Sequence, residues 1–362
     1  MIGLYVHIPF CHGKCPYCDF YSVRADKQKM DMYHKALLRE FKLRSGVKTA
    51  DTLYIGGGTP SLLEVSQIAS IVDSAKGLYN LSNGCEVTVE CNPCTLTKEK
   101  LSGLKAAGIN RLSIGVQSGV DCELKAIGRK HNLKTAQQAI DFAREVGFNN
   151  ISIDIMIGIP GQTKESLKKT LLFIKKADID HCSFYQMKIE PNTPFGINPP
   201  KVPCDDETAE LYLFAVKNLE EMGFKQYEIS NFAKDKKQCK HNLKYWHRQE
   251  YLGFGASAHS FLDGKRFYHK RDIYKYMNDV SFVKYEKSTN SVFEWLMLKF
   301  RLNSGITKDE LQKNGILNDE LECRIAKLQD AGFLNMKDDI ISLTPKGMLV
   351  QNAILLNLFH KL

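Results

Sequence analysis

Three cysteines lie within eight residues near the start of the chain: Cys11, Cys15 and Cys18. Thiolates at this spacing can converge on one metal centre. Iron–sulfur clusters take thiolate ligands, normally four, so three close ligands leave one iron open for a small molecule. A structural zinc is the alternative, and His7 or His12 could supply its fourth ligand. The zinc interpretation explains neither the three-then-two spacing nor the aromatic Tyr17 beside the last cysteine, so the pattern favours an iron–sulfur cluster.

Short apolar or β-branched runs alternate with helical patterns through the first two thirds of the chain. The predicted strands are Gly3–Ile8, Thr52–Ile55, Glu86–Glu90, Arg111–Val116, Ile151–Ile157 and Ser183–Met187. The predicted helices between them are Lys29–Leu43, Val65–Leu78, Lys98–Ala107, Leu133–Val146 and Glu165–Lys176. Alternation of this kind predicts parallel strands that are joined by helical crossovers.

The number of strands predicts an incomplete barrel. A closed eight-unit barrel usually needs about 250 residues, and only about six strands fit before residue 232. The fold class is therefore α/β, with a partial (β/α)6, TIM-like barrel. The functional loops of such barrels follow the carboxyl ends of the strands. The cysteine segment, Gly56–Thr59, Glu90, Gln117 and Asp154 all fall at or just past those ends, which predicts one shared site.

The pattern changes after residue 232. Residues 307–362 predict two short helices, a hairpin near Phe333–Leu343 and a last helix, which together resemble a smaller α+β, winged-helix-like domain. The segment that would read DNA, Asp319–Asp330, is mainly acidic, whereas a DNA-reading helix should be basic. It is interpreted as a packing or partner domain. The predicted division is a core of residues 1–232, a linker segment of residues 233–289 and a C-terminal domain of residues 290–362.

Composition and charge limit the class of protein. No run of about 18 apolar residues occurs, which predicts no membrane-spanning helix. The start of the chain lacks the basic segment of a signal peptide, so we expect a cytoplasmic protein. Cytosolic thiols stay reduced, so clustered cysteines indicate metal binding or catalysis before disulfides. The net charge of +9 fits a lysine-rich solvated surface, which we favour, or an anionic partner such as a porphyrin or RNA.

The cysteine segment resembles the signature of the radical SAM superfamily, which is Cys-x3-Cys-x2-Cys with an aromatic residue before the third cysteine. A glycine-rich loop, Gly56–Pro60, follows the next strand, as in that superfamily. Three further segments resemble the oxygen-independent coproporphyrinogen III oxidase branch: His7–Cys11, Arg111–Ser118 and Ile153–Gly161. The resemblance covers essentially the whole chain and includes a HemN-type C-terminal domain around Trp295–Leu311.

The resemblance implies a [4Fe–4S] cluster on Cys11, Cys15 and Cys18, whose open iron chelates S-adenosylmethionine. One electron then cleaves that molecule to a 5′-deoxyadenosyl radical. The implied S-adenosylmethionine-binding residues are Tyr5, Tyr17, Gly57, Gly58, Thr59, Glu90, Gln117, Arg129 and Asp154. Glycines allow close approach of the backbone, and carboxylates and arginine suit the amine, the ribose hydroxyls and the carboxylate. Taken singly, each could be an ordinary polar residue at the end of a barrel.

Two features resemble the HemW-type haem chaperones of this branch rather than its true oxidases. The oxidases carry another cysteine two residues after the third, where this chain has Phe20. The second feature is the sequence His-Asn-x-x-Tyr-Trp at residues 241–246, which resembles the haem-binding motif of the chaperones. This resemblance implies haem contacts from His241, Asn242, Tyr245 and Trp246. On a helix, His241 and Tyr245 would share a face, and Trp246 could stack on a porphyrin.

The identity of an iron ligand stays open. Haem iron accepts histidine, cysteine or tyrosine, so Cys239 and His247 are alternatives to His241, and so is the absence of direct ligation. From composition alone, a surface histidine with aromatic neighbours packed on the barrel would explain the motif as well. Cys91 and Cys94 favour free thiols over a metal or redox pair. His259 either lines the site or is structural.

The resemblance implies a haem chaperone that binds haem and transfers it to an acceptor protein, on a radical SAM core. The alternative is an oxygen-independent coproporphyrinogen III oxidase, an enzyme that removes two carboxyl groups from propionate side chains. A third interpretation is a radical SAM RNA modifier, although no RNA-binding module is evident. The expected partners are haem or another porphyrin, an unidentified haem acceptor, and an electron donor such as flavodoxin or ferredoxin.

Overall fold

A computed structural model of the chain describes residues 1–46, 48–82, 84–287 and 291–359. The strands are, in chain order, β1 Ile2–Ile8, β2 Phe10–Cys11, β3 Val23–Arg24, β4 Ala50–Gly57, β5 Glu86–Cys91, β6 Arg111–Gln117, β7 Ile151–Ile157, β8 His181–Gln186, β9 Lys225–Glu228, β10 Asn231–Ala233, β11 Tyr251–Phe254, β12 His259–Leu262, β13 Lys265–Tyr268, β14 Lys284–Tyr285, β15 Ile306–Thr307, β16 Leu334–Lys337 and β17 Ile340–Leu343. The helices are α1 Lys27–Leu43, α2 Val65–Tyr79, α3 Lys98–Ala106, α4 Asp121–Ala126, α5 Leu133–Glu145, α6 Lys164–Lys176, α7 Pro194–Ile197, α8 Asp205–Glu221, α9 Lys240–Trp246, α10 Ile273–Asn278, α11 Ser291–Lys299, α12 Lys308–Lys313, α13 Asp319–Asp330, α14 Pro345–Leu349 and α15 Gln351–Phe359.

The main sheet has the strand order β14-β13-β12-β11-β1-β4-β5-β6-β7-β8-β10-β9. Within it, β1, β4, β5, β6, β7 and β8 lie side by side in chain order, and each pair is parallel. Helices connect these strands, and α1 contacts α2 while α2 contacts α3. The partial, TIM-like α/β barrel that the sequence predicts is confirmed.

The sheet also continues beyond the six predicted strands. β11 pairs in parallel with the free edge of β1, and β12, β13 and β14 follow it as antiparallel neighbours. The segment 233–289, which was expected to be a linker, therefore contributes strands to the barrel sheet. The physical reason is that the edge of β1 has backbone groups that need hydrogen-bond partners. The long helix α8 was not predicted either, and it packs against α6.

Side chains alternate between the two faces of the barrel strands. One set is apolar and packs against the surrounding helices in the main hydrophobic core: it includes Leu4, Leu53, Val89, Ile114 and Ile153. The alternate set is largely polar and faces the barrel interior: it includes Tyr5, Tyr54, Glu90, Ser113 and Asp154. Because the interior is polar rather than filled by aliphatic side chains, it can accept a polar or charged ligand.

The C-terminal part has a small hydrophobic core of its own, which contains Leu296, Phe300, Ile341 and Leu355. Its sheet has the order β15-β17-β16, and α13 spans the range that the sequence predicts, so the smaller α+β domain is confirmed. The predicted domain limits at residues 289 and 290, and the last three residues of the chain, lie outside the described residues. No helix in the described part of the chain combines the length and apolar character that crossing a membrane requires.

Candidate functional site

The cysteine loop lies at the carboxyl end of β1, among the loops that follow the parallel strands. We call this end of the barrel the mouth. Cys11 ends the short strand β2, and the Cys18 amide donates to the Cys15 carbonyl oxygen at 3.1 Å. All three thiols are free and half-buried. Burial raises the pKa of the Cys18 thiol, and the nearby thiols of Cys15 and Cys11 raise it further. The structure thus brings the three predicted ligands together.

The glycine-rich loop approaches the cysteine loop closely. A Cβ atom on Gly58 would lie 2.7 Å from the Phe10 carbonyl oxygen and 3.1 Å from the Cys11 sulfur. Gly57 has a φ of +117°, and a Cβ there would lie 2.7 Å from the His7 ring. Only glycine fits such backbone positions without displacement of its neighbours. The Thr59 hydroxyl lies 3.5 Å from the Cys11 sulfur, so the predicted Gly57–Thr59 segment faces the cysteines.

His7 and Tyr5 are joined beneath this loop. The His7 Nε2 lies 3.0 Å from the Tyr21 carbonyl oxygen, so Nε2 carries the proton and donates it. The other nitrogen, Nδ1, must then accept from the Tyr5 hydroxyl, at 3.0 Å. Burial lowers the pKa of His7 to about 4. With both nitrogens engaged, His7 has no lone pair free for a metal, whereas His12 is exposed.

A pair of carboxylates lies deeper in the mouth. Glu90 accepts hydrogen bonds from the Tyr54 hydroxyl and the Gly57 amide, each at 2.9 Å. Asp154 accepts from the Ser113 hydroxyl at 3.1 Å. Burial and then the charge of Asp154 raise the pKa of Glu90 to about 7, and burial raises the pKa of Asp154 as well. A cationic ligand bound between them would relieve this repulsion.

Arg129 links the cysteine loop to β6, at Gly115, which is the neighbour of Asp154 on β7. One of its guanidinium nitrogens is 3.9 Å from the Cys15 sulfur, and another donates to the Gly115 carbonyl oxygen at 2.6 Å. Its Nε is buried without a hydrogen-bond partner. Gln117, the last residue of β6, accepts from the Tyr185 hydroxyl at 2.9 Å. Tyr17 is half-buried beside Arg129, and burial raises the pKa of its phenol. A buried donor without a partner suits a ligand that supplies an acceptor.

Phe20 and two further cysteines, Cys91 and Cys94, lie near the mouth. Position 20, where the oxidases are expected to carry another cysteine, is occupied by Phe20, whose side chain is 68% exposed. Cys91 is buried, and burial raises its pKa to about 12, whereas Cys94 is exposed; both are free. His259 pairs with Glu286 at 3.1 Å. In the described residues, no three histidine, cysteine or acidic side chains are placed to hold a single metal ion. A cluster differs in this respect, because each thiolate binds its own iron.

The predicted haem motif lies at the opposite end of the barrel. We call this end the floor, meaning the amino ends of the parallel strands together with α9, which carries the motif. Glu86, the first residue of β5, accepts from the amides of Lys240 and His241 at 3.0 Å each. The Cys239 sulfur lies 3.5 Å from the same carboxylate. These bonds anchor the first turn of α9, whose amides have no partners within the helix.

His241 points into the barrel and is fully buried. Its Nδ1 lies 2.9 Å from the Thr52 hydroxyl, and its Nε2 lies 2.8 Å from the Tyr245 hydroxyl. The ring stacks on Tyr54, with 5.3 Å between centroids. Burial lowers the pKa of His241 to about 3. The prediction that His241 ligates haem iron does not fit this geometry, because neither ring nitrogen is free and the ring is closed to solvent.

The other residues of the motif also pack within the protein. The Tyr245 ring meets Tyr251 edge-on, with 4.6 Å between centroids. One face of Trp246 is covered by the Arg301 guanidinium, 4.2 Å from the ring centroid. Arg301 in turn pairs with the buried carboxylate of Glu228 at 2.6 Å. Asn242 is half-buried. The motif therefore joins the barrel floor to the C-terminal domain.

Several residues of both ends were not identified from the sequence. At the floor these are Glu86, Arg111, His181 and Tyr227, and at the mouth they are Ser113 and Tyr185. The sequence does contain an indication of such residues. Polar residues recur at every second position of otherwise apolar strands, as in Glu86, Thr88 and Glu90. That alternation indicates a polar barrel interior.

Comparison with known proteins is consistent with this architecture. Residues 5–174 match the Radical SAM superfamily, and residues 288–350 match the HemN C-terminal domain. Among solved structures, coproporphyrinogen III oxidase (HemN) from Escherichia coli, a radical SAM enzyme, matches with a TM-score of 0.85 at 22% identity, over 100% of this chain and 90% of that chain. At this identity the match shows the fold alone.

Two relatives of similar length carry the family assignment. The chain is 36% identical to the heme chaperone HemW of Bacillus subtilis (strain 168), over 98% of each chain. It is 34% identical to the heme chaperone HemW of Escherichia coli (strain K12), over 98% of this chain and 97% of the relative. Radical SAM membership implies a [4Fe–4S] cluster and S-adenosylmethionine. The chain belongs to the heme chaperone HemW family within the radical SAM superfamily.

Proposed function

We propose that this protein is a haem chaperone, which binds haem and passes it to an acceptor protein. The observation that carries the proposal is similarity along the whole chain to relatives that are named heme chaperone HemW, at 36% identity over 98% of each chain for the Bacillus subtilis protein. The exposed Phe20, in place of the additional cysteine of the oxidases, supports the chaperone over the oxidase.

The mouth fits a cluster and its sulfonium ligand. Cys11, Cys15 and Cys18 would hold a [4Fe–4S] cluster, which would supply electrons and leave one iron without a protein ligand. Arg129 places its positive charge beside the Cys15 sulfur, where it stabilises a thiolate. Its buried Nε has no partner in the protein, so it is left to donate to an anionic group of the ligand. Gly57 and Gly58 admit the ligand close to the backbone.

The carboxylates receive the positive part of the same ligand. Glu90 and Asp154 are both held in the mouth by hydrogen bonds that leave acceptor positions on their oxygens. S-adenosylmethionine carries a sulfonium and an amine, so its binding would favour the ionised form of both carboxylates. Tyr17 and Gln117 complete the set of contacting residues, and Tyr5 supports the mouth from below through His7.

The surroundings of the mouth suit an acidic electron donor. Lys14, Lys130 and Arg271 are exposed around the cysteine loop. Flavodoxin and ferredoxin are candidates of this kind, because charge complementarity accelerates association.

All cysteines are free thiols, which fits a reducing compartment such as the cytosol. We also propose that the core ends at residue 232 and the C-terminal domain begins at residue 290. The segment 233–289 between them extends the barrel sheet.

Two measurements on anaerobically purified protein test the proposal. The first is titration with haemin, followed by absorbance, in which we expect saturable binding near one haem per chain. The second is an assay for protoporphyrinogen formation from coproporphyrinogen III, with reductant and S-adenosylmethionine present. We expect no steady turnover. Sustained product formation without saturable haem binding would assign the protein to the oxidases instead.

A further inference from the structure

One side chain, Tyr54, contacts residues of both ends of the barrel interior. It lies on β4, in the largely polar set of residues that faces the interior. Its hydroxyl donates to the Glu90 carboxylate of the mouth at 2.9 Å. Its ring stacks on His241 of α9 at the floor, with 5.3 Å between centroids and 29° between the ring planes. A ligand that contacts Glu90 is therefore linked to α9 through a single side chain.

Tyr54 and Tyr5 lie side by side at one level of the barrel. The two residues are partners in the parallel pairing of β1 with β4, and their rings stack with 6.2 Å between centroids. The Tyr5 hydroxyl donates to His7 beneath the glycine-rich loop, and the Tyr5 ring centroid lies 6.4 Å from that of His241. The two tyrosine rings thus lie between the ligand site of the mouth and the inner side of α9.

The mouth end of this link involves both oxygens of Glu90. One oxygen accepts from the Tyr54 hydroxyl and the other accepts from the Gly57 amide, each at 2.9 Å. A Cβ atom on Gly56 would lie 2.9 Å from both the Glu90 carboxylate and the Tyr54 ring, so the glycine-rich loop packs directly against this pair. A ligand that the loop admits therefore lies beside the hydrogen bond between Tyr54 and Glu90.

The floor end of the link is the fully buried His241 ring. One ring nitrogen bonds to the Thr52 hydroxyl at 2.9 Å, and the other bonds to the Tyr245 hydroxyl at 2.8 Å. Thr52 lies two residues before Tyr54 on β4, so the same strand contacts both the edge and the face of the imidazole. Side chains in a close-packed interior transmit strain to the neighbours they contact. What fixes Tyr54 therefore also fixes the helix that carries His241.

A cationic ligand strengthens this link. Positive charge beside Glu90 favours its ionised form over the neutral acid. An ionised acceptor forms a stronger hydrogen bond than a neutral one, so the Tyr54 hydroxyl is then held more firmly. Because the Tyr54 ring lies against His241, local opening of α9 becomes less frequent.

We propose that Tyr54 is a positioning residue that couples the mouth to α9, so that bound S-adenosylmethionine holds this helix in place. The inference rests on the proposed binding of S-adenosylmethionine at the mouth. The coupling is reciprocal, because a free energy that links two sites acts in both directions. Since α9 carries the sequence that resembles the haem-binding motif of the chaperones, the same contact makes haem binding there depend on the state of the mouth.

The test is hydrogen–deuterium exchange of the reconstituted full-length protein under anaerobic conditions, with and without saturating S-adenosylmethionine. In the wild type, the ligand should slow exchange of the amides of residues 240–249 by about fivefold. Tyr54→Phe keeps the ring and loses the hydroxyl, so it should lose this difference. Tyr79→Phe is the matched control, because its hydroxyl bonds to the Phe41 carbonyl within the core, and it should keep the difference. Exchange of α13 should not respond to the ligand in any sample.

Equilibrium dialysis of the same samples separates the inference from the proposed function. If the wild type does not bind S-adenosylmethionine, the proposed role of the mouth fails and the inference fails with it. If the ligand binds and exchange of α9 does not change, the coupling is wrong while the ligand site stands. An unchanged difference in Tyr54→Phe would remove Tyr54 from the link.

A second variant keeps the test decisive if thermal unfolding shows that Tyr54→Phe is not folded. Glu90→Gln retains an oxygen that can accept from Tyr54, but its side chain cannot become charged. At saturating S-adenosylmethionine, this variant should therefore show little slowing of exchange in α9. Slowing as large as that of the wild type would contradict the coupling through Glu90.

Discussion

The polar groups at the two ends of the barrel differ in how many of them have hydrogen-bond partners within the protein. At the mouth, three thiols are free, a guanidinium nitrogen of Arg129 is buried without a partner, and Glu90 and Asp154 repel each other. At the floor, both ring nitrogens of His241 are hydrogen-bonded and Glu86 receives two amides of α9. The thiols, Arg129 and the carboxylates of the mouth therefore lack partners that a ligand would supply, whereas the His241 ring has all of its partners. The floor is not fully paired either, because Arg111 Nε and Trp246 Nε1 are buried without a hydrogen-bond partner.

This difference separates two kinds of polar residue that look alike in a sequence. A buried group without a protein partner destabilises the fold unless a ligand pairs with it, so several such groups around one opening, beside free thiols, indicate a binding site. A buried group with all its partners present stabilises one arrangement of the chain. Substitutions at the mouth should therefore change ligand binding more than stability, and those at the inner floor should do the reverse.

The largest expected effect is at the mouth. Cys15→Ala should reduce the cluster iron of reconstituted protein from about four atoms per chain to nearly none, because one of three thiolate ligands is lost. Colorimetric assays of iron and sulfide measure it. Cys94→Ala, which removes an exposed cysteine outside the motif, is the matched control and should keep its iron. Full iron content in Cys15→Ala would remove this cysteine from the ligand set.

The next effect concerns the joint between the floor and the C-terminal domain. Arg301→Ala leaves the Glu228 carboxylate buried without its cation. Loss of one partner of a buried ion pair costs about 3–5 kcal/mol, and we expect a loss in the free energy of unfolding at the lower end of this range. Urea denaturation measures it. The double variant Glu228→Gln with Arg301→Ala should be less destabilised than Arg301→Ala alone, and additive losses would show that the pair is not coupled.

A smaller effect is the contribution of His241 to acid sensitivity. Its pKa is about 3 in the folded chain, against an ordinary value of 6.5, because of burial and the charges of Lys244 and Arg111. Between these values the unfolded chain binds more protons, so stability falls as the pH decreases from 6.5 towards 3. In His241→Asn the slope of unfolding free energy against pH should be shallower by about 1 kcal/mol per pH unit. An unchanged slope would contradict the burial of a neutral ring.

The smallest predicted effect is the pH dependence of S-adenosylmethionine binding. Glu90, which faces Asp154, Tyr54 and Arg111, has a pKa of about 7. Its carboxylate becomes charged as the pH rises through this value, so the cationic ligand should bind more tightly at pH 8 than at pH 6, by at most about tenfold. Glu90→Gln should lose that difference in anaerobic equilibrium dialysis. If the variant keeps the pH dependence of the wild type, Glu90 does not contact the ligand.

Features that depend on local sequence were predictable. The ligand spacing of Cys11, Cys15 and Cys18 lies within one loop, and each of the six predicted strands is a short buried run whose limits differ from the prediction by at most two residues. The β7 strand, Ile151–Ile157, matches the prediction at both ends. Such strands can be predicted because the two indications of a strand are local. Both the period of side-chain burial and the glycine at the preceding turn depend on a few neighbouring residues.

Features that depend on distant residues were not predictable. The motif of α9 has aromatic and polar residues on more than one side, and its sequence does not indicate which side faces the barrel. The orientation is set by Glu86 and Thr52, far away in the chain. The pairing of β11 with β1 is equally remote, because it joins residues near 3 and 251. The role of His241 therefore became visible only from its contacts.

The central claim is that the mouth is a ligand site, in which Cys11, Cys15 and Cys18 hold the iron–sulfur cluster, whereas His241 is a structural residue of the floor. The most direct measurement is the content of non-haem iron and sulfide, together with the free energy of unfolding, in three proteins: the wild type, Cys15→Ala and His241→Asn. We expect Cys15→Ala to lose the cluster while its apoprotein keeps the stability of the wild-type apoprotein, and His241→Asn to keep the cluster and to be less stable. Loss of the cluster from His241→Asn, or zinc in the wild type in place of iron, would contradict this claim.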